Sequence, residues 1–263
     1  MASPNPLPAA IKALVLETKG SPLVLKDVPT PEPTLGSVVV QVLASAVDKN
    51  VQLILSGVGP FTYPLPFVPG GRSVGRVAAT GPDTTSLAVG QLVLVEPWLF
   101  ARDNPEVWLM WGGGFEGASR AAKKLFADAW RDGAYTEYIR APLENAWPLN
   151  EHRLCNELRY TIPDLVQLAT DLVAFGGLQS IDLRAGERLA VVPATGIFSA
   201  ATGRGGDSSA LGARVVAVGR KEKVLQTLKD AHPNLVKTVT RTGERSRNRH
   251  DRTDPIRPDR RIH

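Results

Sequence analysis

The sequence predicts a β-rich domain at the N-terminus followed by a parallel α/β sheet, with the change near residue 155. Two observations predict this division. Before residue 155, short apolar runs alternate closely with glycine and proline turns, which is typical of a compact β-barrel or sandwich. After it, an amphipathic helix is followed by a strand, a linker, a second strand and another helix. This order begins a βαβ unit with a parallel sheet.

The predicted strands of the N-terminal domain are apolar or β-branched runs. They lie at 13–16, 23–25, 37–44, 73–80, 92–95 and 134–140. Prolines alternate with other residues after the second run and keep that stretch extended and outside a central sheet, because proline donates no backbone hydrogen bond. The spacing of apolar residues predicts a helix at 48–57, and a loop followed by a helix is predicted at 112–132.

The second part of the chain is predicted to hold two helices and two strands. Apolar positions repeat every three or four residues at 163–178, where Asp164 lies in the first turn and complements the helix dipole. Strands are predicted at 188–194 and 214–219, and a helix at 221–231. The linker at 202–212 is rich in glycine and has no apolar stripe, so we expect a crossover helix there to be short, frayed or displaced.

The charge of the chain is concentrated in its last segment. The formal net charge is +5, and residues 241–263 hold eight arginines against four acidic residues. The rest of the chain is close to neutral, which argues against a basic face that binds nucleic acid. Because 241–263 has almost no apolar side chains to bury, we expect it to be disordered. A basic tail that binds nucleic acid or acidic partners is the alternative.

Two further observations limit the class of protein. The single cysteine, Cys155, cannot form an internal disulfide and excludes a four-cysteine zinc site. No apolar run reaches the roughly 20 residues that span a bilayer, and the N-terminus lacks the features of a signal peptide. We therefore expect a soluble, cytoplasmic protein with no membrane partner.

Several segments resemble the medium-chain dehydrogenase/reductase family. The run VPGGRSVGRV at 68–77, followed by VGQLVLV at 89–95, is similar to the family's PGHE-x-x-G-x-V … GD-x-V pattern. The run GAYTEYI at 133–139 is similar to its G-x-x-A-E-Y segment, and LKDV at 25–28 and VVVQV at 38–42 match its opening. These segments follow the family's order, and the resemblance extends from about residue 11 to about residue 230.

The resemblance implies a fold and a division into domains. Residues 1–155 would form a GroES-like β-barrel domain that holds the substrate. Residues 156–240 would form a truncated dinucleotide-binding domain with a Rossmann-type parallel sheet, ahead of the basic tail at 241–263. The family's sheet has more strands than this chain supplies, and the tail resembles out-of-frame translation more than family sequence. A homodimer is expected only if the cofactor domain is complete enough to offer its sheet edge.

The zinc ligands of the family are missing at the matching places. Zinc-dependent relatives carry a cysteine just after the strand that ends here at Ala44 and a histidine inside PGHE. This chain has SAV at 45–47 and Gly71-Arg72 instead, and no histidine precedes His152. Because serine, alanine, glycine and arginine do not hold Zn²⁺, we interpret the chain as zinc-free, similar to quinone-reductase-like and enoyl-reductase-like proteins.

The cofactor site implied by the resemblance lies at the ends of the two predicted parallel strands. In the family, a turn of the type A-x-G-x-x-G and the helix after it hold the pyrophosphate. The corresponding run here is ATGIFSAA at 194–201, in which Gly196 can make the tight turn and Ser199 stands near an expected glycine. The residues expected to contact the cofactor are Ala194, Thr195, Gly196, Ile197, Phe198, Gly219, Arg220 and Lys221.

The end of the second strand indicates which cofactor binds. An acidic residue there would bind the ribose 2′-hydroxyl of NAD, whereas arginine accommodates a 2′-phosphate. The chain has Arg220 and Lys221 at this place, and a planar guanidinium can grip phosphate in bidentate fashion. We therefore expect NADPH (NADP⁺) as the cofactor. The alternative is that these two residues are a solvated helix start.

Two residues are candidates for catalysis. Asp48 matches the family's acidic position before the active-site helix, with capping of a helix that begins near Lys49 as the alternative. Tyr63, in the proline-rich loop, is a candidate proton donor or substrate contact, with simple packing of its ring as the alternative. The tryptophan-rich stretch after the barrel strands either walls an apolar substrate pocket or fills a small satellite core.

The function implied by the resemblance is hydride transfer. We expect a zinc-independent, NADPH-dependent oxidoreductase acting on a carbonyl, enone or quinone-type small molecule, with a place in secondary metabolism suggested by the resemblance alone. Two alternatives remain open. One is a truncated, catalytically inactive remnant of such a dehydrogenase, and the other is a basic-tailed interaction protein.

Overall fold

The structure, a computed structural model, describes residues 6–113, 115, 117, 119–196 and 212–241. The chain divides into two units, Met1–Val173 and Ala174–His263. The sequence places the domain boundary after residue 155. That position precedes the division after Val173 and lies inside a short helical segment at His152–Glu157.

The first unit is predominantly β-structure. Its strands are β1 (Ala10–Val15), β2 (Val24–Pro29), β3 (Ser37–Ser45), β4 (Ser73–Thr80), β5 (Leu92–Val95), β6 (Trp98–Ala101), β7 (Asn104–Met110), β8 (Tyr138–Pro142) and β9 (Ala146–Pro148). Its helices are α1 (Val51–Leu55), α2 (Arg120–Asp128), α3 (Ile162–Val166) and the start of α4 (Leu168–Ser180). A 3₁₀ turn at Leu143–Asn145 and a π-helical segment at His152–Glu157 complete it.

A five-stranded antiparallel sheet, in the order β8-β3-β4-β5-β9, forms the centre of the first unit. β3 is rich in valine, and β-branched side chains suit the pleated surface of a strand. Val38, Val39 and Val40 are completely buried. Two separate antiparallel hairpins, β1–β2 and β6–β7, accompany the sheet. The main core includes the large buried side chains of Phe67 and Trp111.

Two glycines, Gly112 and Gly133, approach the backbone carbonyl of a third, Gly70, very closely in the first unit. The amide of Gly70 donates to the carbonyl of Gly112 (2.9 Å), and the amide of Ala134 donates to the carbonyl of Gly70 (2.8 Å). A Cβ atom on Gly112 or on Gly133 would collide with the Gly70 oxygen, far inside van der Waals contact. Glycine is therefore required at both places. The loop that precedes β4 is fixed by these backbone contacts.

The second unit contains a three-stranded parallel sheet. Its elements are β10 (Arg188–Val191), β11 (Arg214–Gly219), α5 (Glu222–Ala231) and β12 (Val236–Thr240), and the strand order is β10-β11-β12. Leu225 and Leu228 of α5 share a buried cluster with Val215 and Ala217 of the central strand. The predicted fold class, a β-domain followed by a partial parallel α/β sheet, is confirmed.

Two elements differ from the sequence prediction. The expectation of two parallel strands is wrong, because β12 is a third strand that pairs with β11. Its sequence, VKTVT, contains only two apolar residues, so it lacks the continuous apolar run of its neighbours. The β6–β7 hairpin was also not predicted. The two tryptophans of this hairpin, Trp98 and Trp108, are exposed, and their ring centroids lie 5.2 Å apart. Trp111, just after β7, is buried.

The long helix predicted at 163–178 is divided into α3 and α4 at Gln167. α3 begins with a reciprocal capping box, in which Thr161 and Asp164 each accept a hydrogen bond from the other's backbone amide. The predicted crossover helix at 202–212 lies almost entirely outside the described residues. Within the described part of the chain, no helix has the length and apolar composition needed to cross a membrane.

Replacing Gly112 by alanine should destabilise the first unit more than the same change at Gly90. Both glycines have a positive φ (+62° and +88°), but a Cβ on Gly90 meets nothing within 4 Å. We expect Gly90→Ala to cost about 1–2 kcal/mol through backbone strain, and Gly112→Ala about 1–3 kcal/mol more through overpacking against Gly70. Urea unfolding followed by tryptophan fluorescence measures both, since every tryptophan lies in the first unit. Equal losses of unfolding free energy in the two variants would contradict the crowding around Gly112.

Candidate active site

A largely buried arginine connects three segments of the first unit. Arg72 lies in the loop before β4, and its side chain is 13% exposed. One terminal nitrogen donates to the carboxylate of Asp48, which follows β3, and the other donates to the hydroxyl of Thr170 in α4. Thr170 is buried, whereas the Asp48 side chain is 47% exposed. The guanidinium is therefore held from two sides, and the cluster opens to solvent beside the carboxylate.

The backbone around Arg72 is also fixed by hydrogen bonds. Its carbonyl accepts from the amide of Ala46 (2.9 Å) and from the hydroxyl of Ser45 (3.2 Å). The phenol of Tyr135 donates to the carbonyl of Ala46 (3.0 Å). Burial raises the pKa of Tyr135, the negative charge of Asp48 raises it further, and the positive charge of Arg72 opposes both. Tyr135 is therefore a protonated phenol at neutral pH.

Glu96 is a second acidic residue near the arginine. Its backbone is tied to Asn145, which accepts from the Glu96 amide (3.0 Å) and donates through its side chain to the Glu96 carbonyl (2.8 Å). The Oε1 atom of Glu96 is buried and has no hydrogen-bond partner among the described residues. Burial raises the pKa of this carboxyl, and the charge of Arg72 lowers it in part. Ionised Glu96 is consequently destabilising for the folded protein.

A cavity of about 600 Å³ also occurs in the first unit, but it is lined by other residues. Its walls include Phe67, Trp130 and Arg140, and neither Arg72 nor Asp48 contributes to it. Polar side chains also line the cavity, among them Lys26, Asp132 and Arg140, but no residue predicted for the site contributes to it. We therefore locate the candidate chemistry of the first unit at the Asp48–Arg72 pair.

The two predicted catalytic residues occupy different surroundings. The hydroxyl of Tyr63 lies 3.3 Å from the carbonyls of Ile54 and Leu55 at the end of α1, and its ring stacks on Phe67 at 4.9 Å. Burial raises the pKa of Tyr63. Its hydroxyl is thus already engaged with backbone, and its role as a proton donor stays a prediction.

The alternative role of Asp48 as a helix cap is wrong. The N-cap residue of α1 is Asn50, and no side chain caps this helix. Asp48 contributes only its backbone carbonyl, which accepts from the amide of Val51 (3.0 Å). Its carboxylate is instead directed to Arg72. A strong charge partner outcompetes the weak interaction with the end of a five-residue helix.

In the second unit, predicted cofactor residues lie together where the parallel strands end. Ala194 is buried, and its amide donates to the carbonyl of Val218 at the end of β11 (2.7 Å). A Cβ atom on Gly219 would lie 2.9 Å from Cγ2 of Thr195. The turn at Ala194–Gly196 and the end of β11 are therefore in contact. This carboxyl edge is where open parallel sheets bind their ligands.

Arg220 and Lys221 extend from the same edge. Both are exposed, and Lys221 is the N-cap residue of α5. Neither side chain has a hydrogen bond or an ion pair within the described part of the chain, so both cations are available to an anion. The remaining predicted contacts, Ile197 and Phe198, lie outside the described residues.

The side chains around Arg72 do not suit a divalent cation. Among the described residues, three or more His, Cys, Asp or Glu side chains do not come together in a group that could hold a metal. Asp48 is paired with the guanidinium, whose fixed positive charge would repel Zn²⁺. The donor set of this cluster therefore fits hydrogen-bond chemistry and not metal coordination.

The sequence identifies Asp48 but not the residues that surround it. Arg72 carries a visible signal, since it is a charged residue directly before a strand whose first residues are buried. Thr170 carries none, because 98 positions separate it from Arg72 along the chain. Tyr135 and Glu96 follow no motif with a recognised chemistry. Only the fold brings these four side chains to one place.

Comparison with known proteins agrees with this architecture. Residues 34–151 match the alcohol dehydrogenase GroES-like domain. Alcohol dehydrogenase patD of Aspergillus clavatus is 28% identical over 226 residues, which cover 81% of this chain and 51% of that protein. An alcohol dehydrogenase of Geobacillus stearothermophilus is 26% identical over 226 residues, which cover 86% of this chain and 63% of that protein.

Solved structures show the same fold. A thermostable alcohol dehydrogenase from Pyrobaculum aerophilum is similar with a TM-score of 0.63 and 24% identity, over 87% of this chain and 65% of that one. This chain thus spans about half to two thirds of the length of these relatives. The likeness supports a GroES-like fold for the first unit and a partial Rossmann-type sheet for the second.

Replacing Glu96 by glutamine should stabilise the first unit at neutral pH. Because the folded-state pKa of Glu96 is raised, the folded protein holds this proton more tightly than the unfolded chain. Wild-type stability is therefore lost as pH rises through the folded pKa. The gain of Glu96→Gln should be largest at pH 7–8 and vanish near the unfolded pKa of about 4.3.

Thermal unfolding of both proteins across pH 4–8 measures this difference. Glu32→Gln is the control, since Glu32 is exposed and the same charge is removed there without a change of burial. The control should show no comparable pH dependence. A gain for Glu96→Gln that grows on acidification would refute the assignment.

Proposed function

We propose that this chain, as a member of the medium-chain dehydrogenase/reductase family, is a zinc-independent, NADPH-dependent oxidoreductase that acts on a carbonyl, enone or quinone-type small molecule. The observation that carries the proposal is the arrangement of the second unit. There, the tight turn after β10 contacts the end of β11, and exposed Arg220 follows directly. This combination suits a dinucleotide with a phosphate on its ribose.

The residues at the carboxyl edge fit such a cofactor. The turn at Ala194–Gly196 would receive the pyrophosphate, because backbone amides at the end of a parallel strand offer donors to phosphate oxygens. Gly219 lets the end of β11 approach the turn closely, because a Cβ atom at this position would lie only 2.9 Å from Cγ2 of Thr195. When bound, NADPH would supply the hydride. The chain itself contributes binding and orientation, which provide much of the rate enhancement in such reactions.

Arg220 is the residue that favours NADPH over NADH. A guanidinium forms charge-assisted, bidentate hydrogen bonds to phosphate, and NADH lacks the 2′-phosphate that would accept them. The side chain is exposed and has no competing acidic partner within the described residues. Lys221 adds a second cation at the same edge, which further favours an anionic ligand.

Zinc independence is supported by the donor set of the first unit. Asp48 is paired with Arg72, and a metal ion bound to this carboxylate would have to displace that guanidinium. In this proposal Asp48 is a positioning residue that orients Arg72, and it does not itself transfer a proton. Tyr63 remains the predicted substrate contact, with a raised pKa that keeps its phenol protonated at neutral pH.

Replacing Arg220 by alanine should weaken NADPH binding selectively. Hydrogen bonds to charged groups contribute about 1.5–3 kcal/mol each, so the dissociation constant for NADPH should rise about 10- to 100-fold. The dissociation constant for NADH should change little, because NADH has no 2′-phosphate for Arg220 to contact. Isothermal titration of the full chain with each cofactor measures both values.

Lys229→Ala is the matched control for this experiment. Lys229 is an exposed cation in the last turn of the same helix, away from the sheet edge, so its removal should leave both dissociation constants unchanged. Equal weakening of NADPH and NADH by Arg220→Ala would contradict 2′-phosphate recognition. Absence of NADPH binding by the wild-type chain would leave the inactive-remnant alternative.

A further inference from the structure

We propose that Arg72 binds the oxygen atom of a neutral carbonyl substrate, so that the first unit selects aldehydes, ketones or enones over carboxylates and phosphates. This inference rests on the proposed function, because it narrows the substrate class of the same reaction. Three features of the cluster around Arg72 carry it: its unused donors, its balance of charge and its rigidity.

Some N–H groups of the Arg72 guanidinium form no hydrogen bond within the described residues. Arginine carries five N–H groups, and within the described part of the chain they donate only to Asp48 and Thr170. The side chain is 13% exposed, so a small ligand that approaches from the solvent-accessible Asp48 side can reach the remaining N–H groups. An uncharged oxygen acceptor is sufficient to satisfy one of them.

The balance of charge argues against an anionic ligand. Asp48 neutralises Arg72 through a direct ion pair. The pair therefore carries no net positive charge. A carboxylate or phosphate would meet the Asp48 carboxylate at close range, and like charges at such distances repel strongly outside bulk water. A neutral carbonyl oxygen meets no such repulsion.

The donor is also held in place before any ligand arrives. The Arg72 carbonyl accepts hydrogen bonds from Ser45 and Ala46, Thr170 holds one end of the guanidinium, and Gly70 fixes the loop two residues earlier. A preorganised donor stabilises developing charge without the cost of reorientation. In the family pattern this loop supplies a zinc ligand, and here it supplies a fixed organic cation.

This arrangement suits reduction of a carbonyl group. If a reduced nicotinamide supplied the hydride, its oxidation to the nicotinamide cation would balance reduction of the carbonyl: a C–H bond would form at carbon and the C=O π electrons would move to oxygen. The alkoxide would then take a proton from water and leave as the alcohol. Negative charge grows on the oxygen during this step, so a hydrogen bond from Arg72 becomes stronger in the transition state than in the ground state.

Acetophenone and benzoate provide a size-matched test, because one presents a neutral carbonyl and the other a carboxylate on the same ring. Saturation-transfer NMR on the full chain, without cofactor, measures the dissociation constant of each. The wild-type protein should bind acetophenone and show no measurable affinity for benzoate. Arg72→Met should weaken acetophenone binding about 10- to 100-fold, and Arg72→Lys should weaken it less.

Asp48→Asn provides a gain of binding that misfolding cannot imitate. It removes the neutralising carboxylate while it retains the shape of the side chain, so benzoate should now bind to the liberated charge of Arg72. Arg76→Met is the control, since Arg76 lies within β4 and forms a similar ion pair with a different carboxylate, that of Glu151. It should leave the acetophenone affinity unchanged.

Three results would overturn the inference: no acetophenone binding by the wild-type chain, preference for benzoate, or acetophenone binding that survives Arg72→Met. None of them depends on the cofactor. Loss of NADPH binding in the separate titration would instead overturn the proposed function, so the two failures can be distinguished.

Discussion

The crowding of backbone around the Gly70 carbonyl is the constraint on which the geometry of the first unit depends. Gly112 and Gly133 approach this oxygen more closely than any residue with a side chain could. The contact connects the loop before β4 to the end of β7 and to the segment that leads into β8. Because Arg72 lies two residues beyond Gly70, a displacement of this contact would move the guanidinium relative to Asp48.

The Asp48–Arg72 pair is better understood as a positioning device than as a source of stability. Removing two charges from water carries a desolvation cost that the attraction between them often only offsets. Here one partner is largely buried and the other half-exposed, so the net stabilisation is small. What the pair provides is orientation: with Thr170 on the other side, the guanidinium has little freedom to rotate, and its free N–H groups point in a defined direction.

The sequence predicted the architecture better than the site. Strands β4, β5 and β11 have the predicted bounds because each is rich in β-branched or apolar residues and lies between turn residues. β12 and the β6–β7 hairpin were missed because their residues alternate with polar or exposed side chains, so they gain stability from pairing and not from a local pattern. The placement of Ala194–Gly196 and Arg220 at one sheet edge was predictable because both follow strand ends. The Arg72 cluster was not, because its members are far apart along the chain.

The two units use arginine in opposite ways, and the difference follows from the partner each one has. Arg72 is neutralised by Asp48, which makes it a hydrogen-bond donor with little field of its own, suited to an uncharged oxygen. Arg220 has no acidic partner within the described residues and is exposed, so its full charge attracts an anion. In the proposed function, this difference lets Arg220 and Lys221 attract an anionic cofactor and lets Arg72 donate a hydrogen bond to the oxygen of an uncharged substrate.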